Sequence, residues 1–267
     1  MAASAADAKA VRFAGSARRD GEQGRAALRT SRVCVVGLGG VGSWSVEALA
    51  RSGVGRLTLV ALDEVCLSNA NRQLHTLTTT VGRSKAAVLA ERVRLISPDI
   101  EVEAIEDFFT ESSAERILGT GFDAVIDAID SFRSKCLLLA QCRDRGIPVV
   151  TVGGCGGRID PSRVRLDDVS KSHGDALLAM VRKRLRQEFG FPRRGRWNVA
   201  CVYSDEPQRF VDSAGEIKAT RPENTATGMD CDGGLGAASF LPGTFGFLAA
   251  KAAIDLLVSD VPVRFSP

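Results

Sequence analysis

The chain has 267 residues, 45% of them hydrophobic, and a formal net charge of +3. That length suits one large domain with a full core, and the charge is too small to name a nucleic-acid partner by itself. Seven cysteines (Cys34, Cys66, Cys136, Cys142, Cys155, Cys201 and Cys231) contain no C-x-x-C pair, which argues against a four-cysteine zinc site. Their odd number, with no signal-peptide pattern, suits a reducing compartment, and the chain reads as cytoplasmic. No run reads as a membrane span: residues 244–258 are interrupted by Lys251 and Asp255 and are too short. Residues 1–11 lack the Arg-rich pattern of a transit peptide and read as a disordered start.

In chain order, RVCVVG (32–37) is a β-branched apolar run ending in Gly, the pattern of a buried parallel strand. GLGGVG (37–42) is a turn, and residues 41–53 carry apolar positions at a helical period up to Gly53. RLTLVALD (56–63) is a second strand, and residues 82–97 a second helix with Ala87, Leu89, Ala90, Val93 and Ile96 inward. Strands follow at 100–108, 122–130 and 147–154, with a helix at 135–146. This alternation predicts an α/β, Rossmann-like, doubly wound and mainly parallel sheet. Beyond about residue 155 the pattern changes to a C-terminal α+β extension. It holds strand-like 164–170, an amphipathic helix at 175–189 with Leu178, Val181, Leu185 and Phe189 on one side, strand-like 198–204, a long polar loop at 206–234 and a terminal helix near 243–258. The organisation expected is therefore a nucleotide-binding region at 12–155 and a substrate-binding and dimerisation extension of the same domain at 156–260. Cys34, Cys66 and Cys201 read as strand or core residues.

The glycine turn sits between a strand and a helix, where backbone can approach phosphate and free N–H groups face it. The second strand ends in LDE, so Asp63 and Glu64 are candidates for a ribose. An ordinary dinucleotide site has no need of the polar residues that follow. A triphosphate does: Arg72 can hold phosphate oxygens through two N–H groups and Lys85 can add a point charge. Asp130, beyond a strand's carboxyl end, can hold Mg²⁺. With Asn69 and Gln73 these form a triphosphate-handling set.

The series GLGGVG, then LDEV with Asn69, Arg72 and Gln73, then GRSK (82–85) and DAID (127–130) resembles the ThiF/MoeB/HesA superfamily of ubiquitin-activating-enzyme-like adenylyltransferases. RFAGSARRDGEQG (12–24), NANRQLHTL (69–77), GGCGGRIDPSRV (153–164) and MDCDGGLGAA (229–238) are similar to the branch that dehydrates threonylcarbamoyladenosine in tRNA. The resemblance implies ATP and Mg²⁺, admits a monovalent cation (Na⁺ or K⁺), and implies a homodimer acting on tRNA that carries threonylcarbamoyladenosine, with a sulfur-transfer protein as a further partner. For a eukaryotic chain it also admits mitochondrial association. It implies that Gly37, Gly39, Gly40 and Gly42 line the phosphates, that Asn69, Arg72 and Lys85 meet the triphosphate, that Asp130 meets the metal, and that Cys231 is a candidate acyl or persulfide carrier. The family's ribose acid falls at Ala61, which leaves Asp63 or Glu64 to replace it. Asp205 stands where Thr is common. Residues 182–196 carry seven Arg or Lys against Glu188 alone, a footprint that suits tRNA backbone as well as a solvated helix face. An adenylyltransferase for a ubiquitin-like or sulfur-carrier protein, an NAD-dependent dehydrogenase and a degenerate non-catalytic member remain as alternatives.

Overall fold

The computed structural model describes residues 11–212, 214–220 and 235–258. Cys231 and residues 1–10 lie outside the described residues; Val11 and Arg12 are helical. Seven strands form one sheet in the order β3-β2-β1-β4-β5-β7-β6. They are β1 (Arg32–Val36), β2 (Arg56–Val60), β3 (Glu101–Ile105), β4 (Ala124–Asp127), β5 (Val149–Val152), β6 (Val164–Asp168) and β7 (Ala200–Ser204). Every neighbouring pair is parallel except β6 with β7. The sheet therefore runs unbroken past residue 155, and the extension is two more strands of the same layer.

Period-2 alternation explains why both faces are covered. Val33 and Val35 of β1 enter one apolar cluster, and Cys34 and Val36 enter the other. The first cluster is roofed by helices α1 (Ala14–Thr30), α2 (Gly40–Ser52), α3 (Lys85–Ile96) and α7 (Phe240–Val258). The second is roofed by α4 (Glu111–Leu118), α5 (Phe132–Asp144) and α6 (Ala176–Glu188).

Several expectations change. Helices α1 and α4 add to the expected elements: α1 is interrupted at Gly21, whose φ is 73°, and α4 has only eight residues. The long polar stretch contains a hairpin of β8 (Phe210–Val211) and β9 (Ile217–Lys218). Cys66 is exposed, because it precedes a 3-10 turn (Leu67–Asn69) and does not lie in a strand. Ala86 and Val88 are buried where Ala87 is only half-buried.

Helix α7 begins at Phe240, four residues before the apolar stretch read from sequence, and its 19 residues are long and apolar enough to cross a membrane by length and composition. Its inner face is packed in the core, with Phe245, Ala249, Ala250, Ala252 and Ala253 at most 1% exposed. The contact with α2 is close: a Cβ on Gly246 would sit 2.6 Å from the Val41 carbonyl oxygen and 2.7 Å from the Trp44 Cβ. The Ser45 hydroxyl donates to the Gly246 carbonyl at 3.1 Å. Gly246→Ala is expected to push these helices apart and destabilise the protein by about 1–3 kcal/mol; an unchanged melting temperature would show that the α2–α7 contact yields freely.

Candidate functional site

The turn after β1 brings helix α2 against β4. Gly37 holds φ 90°, and a Cβ there would lie 2.6 Å from the Ala128 carbonyl oxygen. A Cβ on Gly42 would lie 1.8 Å from the Gly37 carbonyl oxygen. Only glycine fits at either position. The first intrahelical bond runs from Ser43 N–H to the Gly39 carbonyl at 3.1 Å, so the N–H groups before it have no helical acceptor. No side chain caps the helix at Gly39. The result is an uncapped helix N-terminus with partial positive charge, set at the carboxyl ends of the strands.

A cavity of about 420 Å³ opens there. Its first half is walled by Gly39, Gly40, Arg72 and Gln73, its second by Gly153, Gly154, Cys155 and Gly156 with Leu177 and Leu235, and Asp130 lines it as well. Arg72 is half-buried; its guanidinium donates to the Ser68 carbonyl at 2.9 Å and the Asn71 side chain at 3.0 Å. It makes no ion pair among the described residues, so its charge is available to a ligand. Gln73 is 8% exposed, and its Oε1 has no protein partner. Asp130 is exposed on the turn past β4.

The predicted set divides. Gly39, Gly40, Arg72, Gln73 and Asp130 meet at the cavity. Gly37 and Gly42 lock the turn behind it. Asp63, Asn69 and Lys85 are not among its lining residues. Lys85 is 6% exposed, the first residue of α3, and donates to the Asp63 carboxylate at 3.0 Å. Asn69 is buried, and its carbonyl accepts the Arg72 and Gln73 N–H groups at 3.0 and 2.9 Å, which shapes the segment carrying the arginine. His75, on the same segment, is 1% exposed with both ring nitrogens unpaired; burial first, then the charge of Lys85, lowers its pKa to about 4.

Two buried ion pairs brace the walls, and sequence reading singled out neither. Lys135 and Asp127, both fully buried, meet at 2.8 Å, and the Thr151 hydroxyl donates to the same carboxylate at 2.6 Å. The other oxygen accepts from Ile129 N–H at 3.2 Å, which sets the turn that presents Asp130. On the second wall, Asp175 caps α6 by accepting from Leu178 N–H at 2.9 Å and also accepts from Gly154 N–H at 2.9 Å. Arg158, 3.4 Å from Asp175, donates to the carbonyls of Gly154, Gly174 and Glu206. Removing one partner of such a pair strands a buried charge, at a cost of about 3–5 kcal/mol. Asn71, which stands outside the predicted set, donates to the Ala237 carbonyl at 2.8 Å and ties the two sides together. Asp205 has a structural account: it accepts from Arg163 at 2.7 Å and Arg165 at 3.3 Å.

The lining suits a phosphate-bearing nucleotide: free helix N–H groups, an arginine with no ion pair among the described residues and Gln73, whose amide nitrogen lies toward Gly39, border one space. No group of three metal-ligating side chains occurs among the described residues. One carboxylate suffices for Mg²⁺, which keeps water and phosphate ligands.

Fold and cavity together define a Rossmann-like protein with an anion-accepting site at the carboxyl edge of its sheet. The model of the ThiF family matches residues 14–266, and the chain belongs to that family. It is 43% identical over 258 residues to the tRNA threonylcarbamoyladenosine dehydratase of Escherichia coli, covering 95% of this chain and 96% of that protein. The Bacillus subtilis protein of the same name is 42% identical, covering 91% and 93%. A crystal structure of the E. coli protein in complex with ATP superposes with a TM-score of 0.83 at 41% identity, covering 94% of this chain and 95% of that one.

Because His75 is held neutral down to about pH 4, while an unfolded histidine titrates near 6.5, the unfolded chain binds the extra proton between those values. Stability should therefore rise with pH across that window and fall on acidification from about 6.5 to 4, by up to about 3 kcal/mol. His75→Leu should flatten this dependence in denaturant titrations; an unchanged slope would remove His75 as its source.

Proposed function

We propose that the protein uses ATP to cyclise threonylcarbamoyladenosine beside the anticodon of tRNA. The free carboxylate of the modification attacks the α-phosphorus of ATP, the bond to the β-phosphate breaks, and pyrophosphate leaves. A nitrogen of the same modification then attacks the acyl carbon, loses its proton and expels AMP. The nucleoside ends one water lighter. A carboxylate is a poor electrophile with hydroxide as its leaving group; AMP is a far better one.

The observation that supports this best is a single cavity with two unlike halves. The N–H groups at Gly40 and Val41, with Arg72 and Gln73, take the phosphates and the charge that develops on them. The glycine wall at 153–156 has no side chain to obstruct a bulky carboxylate-bearing group, apart from Cys155. Cys155 is half-buried, and burial raises its thiol pKa to about 11, so it enters as a small neutral group and not as a thiolate. The near-complete alignment with the dehydratases favours this substrate over a carrier protein. In this reading Asp130 binds Mg²⁺, which would neutralise phosphate charge. Lys85 exchanges Asp63 for phosphate oxygens when ATP arrives, and Asp63 turns to the ribose that Ala61 cannot hold. A homodimer belongs to the same reading, with Phe240 and Phe247 exposed on α7, the latter edge-on to Trp44, as apolar surface for it.

Three outcomes test it. Incubating tRNA that carries the modification with the protein, ATP and Mg²⁺ should convert the nucleoside to the cyclic form by mass spectrometry, and unchanged nucleoside would contradict the proposal. Asp130→Asn should nearly abolish tRNA-dependent release of pyrophosphate and leave the melting temperature unchanged, since Asp130 is exposed; normal release would remove its metal role. Ala61 is 9% exposed in the main core cluster, so Ala61→Asp should lower the melting temperature of the free protein and tighten ATP binding. A hydrogen bond to a charged group is worth about 1.5–3 kcal/mol, or tenfold or more in affinity. Unchanged or weaker binding would mean that Asp63 already serves the ribose.

A further inference from the structure

The seven cations of residues 182–196 are not one solvated face. Four are engaged internally. Arg182 donates to the Ser172 hydroxyl, and burial lowers its pKa. Arg184 pairs with Glu188 at 2.7 Å and covers the Phe132 ring. Arg186 lies over Trp197, 5.2 Å from the ring centre. Arg196 faces Asp167 at 3.7 Å. Lys183, Arg193 and Arg194 are exposed and make no ion pair among the described residues.

The loop that carries the two arginines is built. Phe191 is 4% exposed, and its ring lies 4.8 Å from that of Trp197, centre to centre. Arg143 covers the Phe191 ring at 4.2 Å, and the indole N–H of Trp197 donates to the Pro192 carbonyl at 2.9 Å. Buried Asp168 accepts the backbone N–H groups of Trp197 and Val199 at 3.0 and 3.2 Å. Gly190 and Gly195 turn the chain at φ 66° and 85°. An aromatic clasp thus closes the loop at its base and projects Arg193 and Arg194 from a fixed stem. Ordering such a tip on binding costs less than ordering a free arginine run.

Its placement carries the argument further. Helix α6 starts at the cavity, where Leu177 lines the wall and Asp175 holds Gly154, and ends at the arginine loop. At the rise of an α-helix, Leu177 to Glu188 spans roughly 17 Å. Resting on the function proposed above, we infer that Lys183, Arg193 and Arg194 form the docking surface for the phosphate backbone of the tRNA, with α6 as the strut that fixes its distance from the cavity. A base presented to the cavity has its own strand's phosphates on either side. A basic tip at a set distance selects backbone that continues away from that base and reads no sequence. Asp175, as cap of the strut and acceptor from the cavity wall, keeps the two ends in register.

The test compares Arg193→Ala/Arg194→Ala with the parent and with Arg29→Ala/Arg94→Ala, which removes two exposed charges away from α6, one just before the interior strand β1 and one against the edge strand β3. Binding is measured across salt with the same tRNA, with and without the modification. Losing two backbone contacts should reduce the log–log salt slope by about 1.4–1.8 units and weaken affinity for both tRNAs roughly tenfold near physiological salt. KM for ATP and turnover at saturating tRNA should match the parent, which also shows that the variant is folded. Arg193→Lys/Arg194→Lys should retain binding, because backbone docking reads charge. The inference is overturned by parent-like affinity and slope in the alanine variant, as expected if the tip instead meets an acidic protein, or by an equal loss in the Arg29→Ala/Arg94→Ala control. Both results are read on a parent that cyclises the nucleoside; a parent that binds ATP and fails to cyclise defeats the proposed function itself.

Discussion

The site depends on how closely α2 approaches the turn after β4. A Gly42 Cβ would overlap the Gly37 carbonyl at 1.8 Å, and a Gly37 Cβ would meet the Ala128 carbonyl at 2.6 Å. With only hydrogens at these positions, the helix N-terminus arrives at the carboxyl edge of the sheet aimed across it. Arg72 and Gln73 then close one side, and Asp130 lines the cavity from the turn past β4. On the far side of α2, Gly246 admits α7 just as closely. The helix is gripped between two backbones, and a preorganised set of N–H groups costs no reorganisation when charge develops on a phosphate.

The walls are held by electrostatics placed out of reach of solvent. Asp127 with Lys135 sets the Asp130 turn, and Asp175 with Arg158 sets the glycine wall. Such pairs are an uneven source of net stability, because desolvation offsets attraction. Their effect here is geometric: each carboxylate accepts a backbone N–H from a segment that lines the cavity. Asp175 does this while capping α6, so the nucleotide end of the molecule and its arginine loop are parts of one framework.

Much of this was legible in the sequence. The strands announce themselves by β-branched runs, and the glycine turn and Arg72 by residue type and spacing. Other parts were not, for physical reasons. Helix α1 carries Gly15, Gly21 and Gly24 among charges, and Leu28 is its one large buried apolar side chain. Helix α4 has only eight residues, and its best signal is the Thr110–Ser113 capping box. Helix α7 starts three residues before the expected 243, because Pro242 falls in its first turn, where proline is tolerated. Gly153 and Gly154 stood in a recognised motif without a place in the site, and Leu177 carries no chemistry to mark it; tertiary packing brings all three to the cavity. Lys85 and Asn69 were recognised by type, yet their burial and partners, Asp63 for one and backbone N–H groups for the other, depend on the folded segment 61–85.

The central claim is that the cavity activates a carboxylate by adenylation. The most direct measurement uses tRNA whose threonylcarbamoyl carboxylate oxygens carry a heavy-oxygen label, incubated with the protein, ATP and Mg²⁺. If the carboxylate attacks the α-phosphorus and AMP is later expelled from the acyl carbon, one labelled oxygen must leave in AMP, matched to each cyclic nucleoside formed. Label found in inorganic phosphate or in water, or cyclisation without labelled AMP, would contradict the account.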